Sequence, residues 1–307
     1  MELHEIASKA GVTKNEVVLL LETVESEKVS IVELSKKVNL SVQTLKKVRS
    51  LVPDLFVPIP NFFILSQKGK VLLHNRKESF KFTDAHEKEV RRLLREYSPR
   101  RPTPKREYDQ FYTTEDTQVK RVKLLSESHD LEHISILFLG DDDITSACLG
   151  VLGVAKRIAV LDIDQRQLSF IESIAKSEKF KVELYLSDFR EGIPADIKRG
   201  FDIVFSDTPY TPDGFELFLL KALDASKNLL STLYMCYGTS ERSIERLIPI
   251  QEIISKRNLV IKDALWCFNS YQGAESIGDT SNLYVLKPTP ATVYNKKYVG
   301  KRIYTHE

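Results

Sequence analysis

Hydrophobic and polar positions form a repeating block pattern from about residue 115 onward. Short apolar runs of strand length are followed by stretches with the periodicity of amphipathic helices. The apolar runs are ISILFL, RIAVLD, KVELYL, FDIVFSD, NLLSTLYMCY, LVIKDALWCF and SNLYVLKP. Because strands that alternate with helices form parallel sheets covered on both faces, the pattern predicts an α/β domain. Its last two strands are expected to pair as an antiparallel hairpin.

A doubly wound parallel sheet that ends in an antiparallel hairpin is typical of the Rossmann-like S-adenosylmethionine transferases. The alternative is an ordinary dinucleotide-binding fold, which usually lacks the final hairpin. Thr114 is the predicted N-cap of the first helix of this region. We therefore expect residues 114–307 to form a Rossmann-like catalytic domain.

The N-terminal region, residues 1–80, has a different pattern. Ser30 and Ser41 are placed to cap two short amphipathic helices that are joined at Asn39 and Leu40, which is a helix-turn-helix pattern. The run NFFILSQKGKVLL then shows two apolar segments around a Lys-Gly pair and predicts a β-hairpin. Together these elements predict a winged-helix-like domain.

Residues 81–113 separate the two regions and are rich in basic side chains. The stretch RRLLREYSPRRPTPKREYD contains Pro99, Pro102 and Pro104. Prolines at this spacing break helices and favour extended chain. We therefore expect a basic linker that contains several prolines.

Composition narrows the class of protein. The 307 residues carry 45 basic and 43 acidic side chains, so the net charge of +2 gives no general preference for nucleic acid. Three separated cysteines fit a reducing compartment and form no zinc-binding pattern. The lack of a signal-peptide pattern and of an apolar run of about 20 residues predicts a cytoplasmic protein outside the membrane. Two methionines and 29% charged residues are consistent with adaptation to heat.

Acidic residues follow four successive predicted strands. They are Asp141, Asp142 and Asp143 directly after Gly140, and then Asp162, Asp188 and Asp207. Because ligands of doubly wound sheets bind outside the carboxyl ends of the strands, these side chains are expected to share one site. Asp162 lies 22 positions beyond Gly140, close to the ~20 expected for an acid that binds ribose hydroxyls.

The Gly-Asp-Asp-Asp turn is unusual because helix N-termini at this position normally receive anions. Three adjacent carboxylates repel each other unless a cation is near. One candidate cation is Mg²⁺ completed by phosphates, and the other is an organic ammonium group. The turn would repel the carboxylate of S-adenosylmethionine and attract its decarboxylated form, which carries a sulfonium and a primary ammonium. A structural role is the alternative, since Asp favours turns and Asp143 is a natural N-cap.

Asp207-Thr208-Pro209-Tyr210 follows the fourth strand and resembles the (Asn/Asp)-Pro-Pro-(Tyr/Phe) motif of enzymes that alkylate amines. In that motif the acidic or amide side chain holds the attacking nitrogen, and the aromatic ring packs against it. A carboxylate can also accept the proton that an amine must lose before it attacks. Thr208 stands where the motif has its first proline, and an ordinary turn is the alternative interpretation.

Several segments together resemble the branched-chain polyamine synthases of thermophilic archaea and bacteria. They are GDDDIT, LDID, SDTPYTPDGF, SERSIERLIPIQEII, YQGAESIGDTSNLYVLKPTP and DQFYTTEDTQVKRVKLL, within residues 108–290. The resemblance implies transfer of aminopropyl groups from decarboxylated S-adenosylmethionine to the central secondary nitrogen of spermidine. The products would be branched-chain polyamine and methylthioadenosine. No metal is required, and a homodimer is expected.

Each acidic residue has an expected role in this reaction. Asp142 and Asp207 would hold and deprotonate the attacking nitrogen. Gly140, Asp162 and Asp188 would belong to the donor site, where Asp162 takes the ribose and Asp188 the adenine. The residues expected to bind polyamine ammonium groups or wall the pocket are Asp141, Asp143, Tyr210 and Glu275. Of these, the two aspartates could instead cap the helix, and the glutamate could be a solvated loop acid.

Two other functions are left open by the sequence. One is an S-adenosylmethionine-dependent methyltransferase acting on an amine of nucleic acid or protein, which the Asp-x-Pro-Tyr motif suits and the acidic turn does not. The other is a DNA-binding regulator, whose recognition helix, residues 42–51, would offer Gln43, Thr44, Lys46, Lys47 and Arg49. We favour nucleic acid less than a polyamine as partner, and expect the N-terminal domain to serve dimerisation or to cover the active site.

Overall fold

The computed structural model describes residues 1–75, 80–238, 241–272, 279–294, 298–300 and 302–305. The chain forms two compact units, Met1–Ser79 and Phe80–Glu307. No helix in these ranges is both long and apolar enough to cross a membrane.

The smaller unit is mainly helical. Its elements are α1 (Leu3–Ala10), α2 (Lys14–Thr23), β1 (Val29–Ser30), α3 (Ile31–Val38), α4 (Val42–Leu51), β2 (Phe62–Phe63) and α5 (Gln67–His74). As predicted, Ser30 and Ser41 cap α3 and α4, because their hydroxyl oxygens accept hydrogen bonds from the amides of Glu33 and Thr44. Asn39 adopts the left-handed conformation at the turn between the two helices.

The predicted β-hairpin of this unit is wrong. Phe62–Phe63 pairs with Val29–Ser30, but Gln67–His74 is a helix instead of a second strand. Gly69 was expected in a turn and lies inside that helix, where a Cβ atom would stand 2.4 Å from the backbone oxygen of Leu55. The glycine therefore permits close packing rather than a turn, and the winged-helix assignment is not confirmed.

Arg49 of the candidate recognition helix is used for packing within the smaller unit. Its guanidinium donates to the backbone oxygens of Ile59 and Phe62 and lies 4.0 Å from the centre of the Phe63 ring. A cation held in this way contributes little to binding nucleic acid phosphates. The exposed polar side chains of α4 include Gln43, Lys46 and Lys47.

The segment predicted as a linker, residues 81–113, does not connect two bodies as free chain. It contains α6 (Asp84–Tyr97), which packs into the core of the larger unit through Val90, Leu93, Leu94 and Tyr97. The many charged residues on the other face of α6 conceal this apolar stripe from an argument based on composition. Within the segment, residues 81–83, 102–105 and 110–112 lack regular structure.

The larger unit is built on a sheet that has seven strands within the described ranges. They are β3 (Ser135–Leu139), β4 (Arg157–Asp162), β5 (Glu183–Leu186), β6 (Ile203–Asp207), β7 (Thr232–Gly238), β8 (Val260–Ser270) and β9 (Thr280–Lys287). The strand order is β5-β4-β3-β6-β7-β9-β8. Strands β3 to β7 are parallel, and β9 runs antiparallel between β7 and β8. The predicted Rossmann-like sheet with a terminal antiparallel hairpin is therefore confirmed.

Helices cover both faces of this sheet. Besides α6 they are α7 (Glu115–Ser128), α8 (Thr145–Leu152), α9 (Gln165–Glu178), α10 (Pro212–Ala225) and α11 (Leu247–Lys256). Successive residues of β3 point to opposite faces: Ile136 and Phe138 pack with α6 to α9, whereas Leu137 and Leu139 pack with α10 and α11. Because β3 has β4 on one side and β6 on the other, the chain changes winding direction here and leaves a crevice at the carboxyl ends of the strands.

Candidate active site

A cavity that opens to solvent, with about 790 Å³ of empty space when its open mouth is included, lies at the carboxyl ends of the parallel strands. Six residues expected from the sequence line it, namely Gly140, Asp142, Asp162, Asp188, Asp207 and Tyr210. Aromatic side chains complete the wall, among them Tyr108, Phe111, Phe189, Phe218, Tyr271 and Tyr304. The cavity therefore combines carboxylates with aromatic rings, a lining that suits an organic cation.

Asp141 is the cap of α8. Its carboxylate accepts hydrogen bonds from the amides of Thr145 and Ser146, at 2.8 and 3.0 Å. The side chain is buried, which raises its pKa to about 7. Asp141 therefore takes the capping role that the sequence offered as an alternative for both Asp141 and Asp143, and it is not among the residues that line the cavity.

Asp143 is held by two arginines. Its Oδ2 lies 2.8 Å from Nη1 of Arg121, and its Oδ1 lies 3.7 Å from Nη1 of Arg101 and accepts the amide hydrogen of Thr113 at 2.8 Å. The aspartate and both arginine side chains are at most 4% exposed. Asp143 is thus a buried structural ion-pair residue, and the expectation that it binds a polyamine ammonium or caps the helix is wrong.

Asp142 is the member of the turn that faces the cavity. None of the described residues donates a hydrogen bond to its half-buried carboxylate. Burial raises its pKa well above the usual range for Asp, and the neighbouring carboxylates of Asp143, Asp207, Asp162 and Asp141 raise it further. A carboxylate in these surroundings gains strongly from a bound cation.

Asp207 ends β6 and is fixed by two residues that the sequence did not reveal, Arg121 and Tyr271. Its Oδ2 is 2.5 Å from Nη2 of Arg121, and the Tyr271 hydroxyl lies 2.9 and 2.8 Å from its two carboxylate oxygens. Burial raises the pKa of Asp207, and the Arg121 charge opposes this rise.

One sequence signal could have identified Arg121. It shares a helical face with Gln118, Val122 and Leu125 of α7, so it places a charge on the buried side of an amphipathic helix. A buried arginine requires carboxylate or carbonyl partners, which points to a polar cluster beneath that helix. Tyr271 follows the end of β8 and carries no comparable local signal.

Tyr210 forms part of the aromatic wall. Its ring lies edge-on to the Tyr271 ring, with 6.2 Å between ring centres, and 5.8 Å from the ring centre of Tyr237. Gly238 leaves space for it, since a Cβ atom there would stand 2.5 Å from the Tyr210 ring. The position of Tyr210 next to Asp207 matches the placement expected from the Asp-x-Pro-Tyr motif.

Asp162 and Asp188 lie on the β4 and β5 side of the cavity. The Asp162 carboxylate accepts hydrogen bonds from the amides of Asp141 and Asp164, at 3.2 and 2.8 Å, and burial raises its pKa to about 6. The Asp188 carboxylate is paired with Arg190, which holds its pKa below the usual value. Adenine recognition by Asp188 would therefore involve Arg190 as well.

Two further expectations concern metal ions and Glu275. Within the ranges that the structure describes, no group of three or more His, Cys, Asp or Glu side chains is arranged to hold a metal ion. Glu275 lies outside those ranges, so its expected role in binding the polyamine stays a prediction.

Comparison with known proteins places the chain among polyamine synthases. Residues 89–306 match the family model described as "Branched-chain polyamine synthase A C-terminal domain". An uncharacterised protein of Methanocaldococcus jannaschii is 37% identical over 189 residues, which cover 61% of this chain and 47% of that protein. The N(4)-bis(aminopropyl)spermidine synthase of the same organism is 32% identical over 210 residues, which cover 67% of this chain and 60% of the relative. The chain thus spans about half to three fifths of these relatives.

Among solved structures, the branched-chain polyamine synthase of Thermus thermophilus in complex with N4-aminopropylspermidine and 5′-methylthioadenosine has the same fold. The TM-score is 0.64 at 20% sequence identity, and the match covers 99% of this chain and 97% of that chain. The family model covers well over half of the sequence, which confirms the resemblance seen in the motifs. The chain belongs to the branched-chain polyamine synthase A family.

Proposed function

We propose that this protein transfers aminopropyl groups from decarboxylated S-adenosylmethionine to the central secondary nitrogen of spermidine, forming branched-chain polyamine and methylthioadenosine. The observation that carries the proposal is the carboxylate of Asp142. It faces the cavity beside Asp162 and Asp207 and receives no hydrogen bond from the described residues. Such a carboxylate favours a cationic ligand, and both proposed substrates are cations.

The donor is selected by the charge of the turn after β3. In related folds the corresponding helix N-terminus favours an anionic group. Here two N-terminal amides of α8 already donate to Asp141, and Asp142 places a second carboxyl group at the cavity wall, which becomes an anion when a cation binds beside it. A donor with an ammonium tail is therefore preferred over S-adenosylmethionine, whose carboxylate would be repelled. Asp162, at the end of β4, is placed to bind the ribose hydroxyls.

The reaction needs alignment and control of one proton. The neutral secondary nitrogen of spermidine attacks the aminopropyl carbon that is bonded to the sulfonium sulfur. A nitrogen–carbon bond forms, the carbon–sulfur bond breaks, and its electron pair stays on sulfur, which leaves as the neutral thioether of methylthioadenosine. The acceptor nitrogen is protonated in water, so a carboxylate must take its proton before attack. We assign this role to Asp142 and Asp207, which both line the cavity.

The aromatic wall supports the same substrate class. Tyr210 and Tyr271 stand beside Asp207, so a bound ammonium group would meet ring faces as well as carboxylate oxygens. The names of the relatives agree with this proposal, since one is an N(4)-bis(aminopropyl)spermidine synthase and the solved homologue holds N4-aminopropylspermidine. Homodimer formation through the N-terminal unit remains a prediction.

The decisive experiment incubates the protein with decarboxylated S-adenosylmethionine and spermidine and identifies the products by mass spectrometry. We expect a product branched at the central nitrogen, together with an equal amount of methylthioadenosine for each group transferred. S-adenosylmethionine in place of the decarboxylated donor is the control and should give no transfer. Linear products, or methylated amines in the control, would contradict the proposal.

A further inference from the structure

Arg121 is the single cation that joins the acidic turn to the end of β6 in the described part of the site. Its side chain is 1% exposed. Nη1 pairs with Asp143 at 2.8 Å, Nη2 pairs with Asp207 at 2.5 Å, and Nε donates to Oδ1 of Asn269 at 2.8 Å. The guanidinium is thus fixed by three partners from three elements and cannot turn toward the cavity.

Asp207 is oriented by this arrangement. One of its oxygens is paired with Arg121, and the Tyr271 hydroxyl contacts both oxygens while it lies 2.8 Å from Oγ of Ser281. The titratable groups that face Asp207 are Arg121, Asp142, Asp143, Tyr210, Tyr271 and Cys236. Its side chain is 17% exposed, so it still reaches the cavity. An adjacent cation and a hydroxyl donor both favour the ionised form.

Asp142 has the opposite surroundings. The titratable groups that face it are Asp141, Asp143, Asp162, Asp207 and Tyr112. Arg121 and Arg101 form ion pairs with the neighbouring Asp143 instead. Asp142 and Asp207 therefore line one cavity in different surroundings, since Asp207 has a cation and a hydroxyl donor as partners and Asp142 has neither among the described residues.

We propose that Arg121 is a positioning residue that divides the work between the two cavity carboxylates. By pairing with Asp143 and Asp207, it keeps Asp207 ionised to hold the nitrogen and leaves Asp142 as the carboxylate that accepts the proton. Tyr271 acts with it by fixing Asp207. When the cationic donor binds, Asp142 releases its proton to solvent, and the resulting carboxylate then accepts a proton from the acceptor nitrogen before that nitrogen attacks. This inference rests on the proposed function only for the identity of that nitrogen.

Infrared difference spectroscopy of the free enzyme tests the division directly, because it detects protonated carboxyl groups without turnover. Asp141 and Asp162 also have raised pKa values, of about 7 and about 6, so each variant spectrum is compared with wild type by subtraction. We expect Asp142→Asn to remove a protonated-carboxyl band at neutral pH and Asp207→Asn to leave that band. Arg121→Gln should add a band from Asp207.

Arg121→Gln removes the arginine partner of two carboxylates, Asp143 and Asp207, so Tyr271→Phe is the second variant in case the first does not fold. Loss of the hydroxyl donor should move the acid limb of the kcat profile to higher pH and lower kcat ~10- to 100-fold, with less change in KM for spermidine. The matched control is Tyr284→Phe, which changes a buried tyrosine of β9 outside the cavity lining. It should change neither the pH profile nor kcat.

A neutral-pH band that vanishes in Asp207→Asn and persists in Asp142→Asn would reverse the two roles and overturn the inference. An unchanged pH profile in Tyr271→Phe would overturn the inference that Arg121 and Tyr271 position Asp207. If wild type shows the expected bands but makes no branched product, the proposed function fails while the division between the two carboxylates stands.

Discussion

The hydroxyl of Thr208 donates a hydrogen bond to the backbone oxygen of Cys236, 2.7 Å away. This bond ties the turn after β6 to β7, directly beyond the register pair formed by Asp207 and Cys236. Amine-alkylating enzymes with the related motif have a proline at the Thr208 position. In this protein a buried side-chain hydrogen bond restrains the turn that a proline ring would otherwise stiffen, so the departure from the motif is compensated locally.

Thr208→Val keeps the shape of the side chain and removes this hydrogen bond. Because the Cys236 oxygen is left without the donor in a buried position, the free energy of unfolding should fall by about 1–2 kcal/mol. The melting temperature of the larger unit should fall by about 2–6 °C in a calorimetric scan. Thr103→Val, at an exposed position, is the control and should be neutral. Equal melting temperatures for both variants would show that the bond does not restrain the turn.

Asp142 and Asp143 are adjacent in sequence and should respond oppositely to the same change. Asp142→Asn removes a cavity carboxylate that has no donor among the described residues, so the fold should persist while kcat falls about 10²- to 10⁴-fold. Asp143→Asn breaks a buried ion pair with Arg121, so the free energy of unfolding should fall by about 3–5 kcal/mol. Urea titration and a product assay on both variants separate the two effects. A stable, active Asp142→Asn enzyme would remove its central role.

The contrast between these neighbours shows how far sequence patterns reach. Strands β3, β4, β6, β7 and β9 were predictable because each buries a continuous apolar run, and the cavity position follows from the strand order. Helix α6 was missed because its charged face hides its apolar stripe. The ion pairs of Arg121 could not be predicted, because its partners Asp143 and Asp207 lie 22 and 86 residues away and are brought together only by packing. In the smaller unit, Gly69 indicated a turn because glycine permits both tight turns and close packing, and sequence alone cannot separate these uses.

The stability of the larger unit should depend on pH through its buried carboxyls. The pKa values of Asp141 and Asp162 are raised by burial to about 7 and about 6, from an ordinary value of 3.8. Between pH 3.8 and about pH 7 these carboxyls bind more protons in the folded state than in the unfolded state, so the free energy of unfolding falls as pH rises. The urea midpoint should therefore decrease from about pH 4.5 to pH 7, and the strongly raised pKa of Asp142 should extend the decrease to higher pH.

Asp162→Asn provides the control for this pH dependence. Removing one of the carboxyls with a raised pKa should make the fall in the urea midpoint shallower, chiefly below about pH 6. The pKa of His129, lowered by burial from 6.5 to about 3, makes an opposing contribution in this window, but this one group is outweighed by the several carboxyls with raised pKa values. The lowered pKa of Asp188 acts only at lower pH. A wild-type midpoint that rises steadily between pH 4.5 and 7 would contradict the protonated state of these groups.

Ligand-induced stabilisation tests the charge selectivity of the acidic turn. Decarboxylated S-adenosylmethionine at about 100 times its dissociation constant should add ~2.7 kcal/mol to the free energy of unfolding, or about 5–10 °C in melting temperature. S-adenosylmethionine at the same concentration should add much less, because its carboxylate would lie near Asp142. The difference between the two ligands should shrink in Asp142→Asn, which keeps the shape of the site and removes the charge. If wild type responds equally to both ligands, Asp142 does not select the donor, and a methyltransferase becomes the better interpretation.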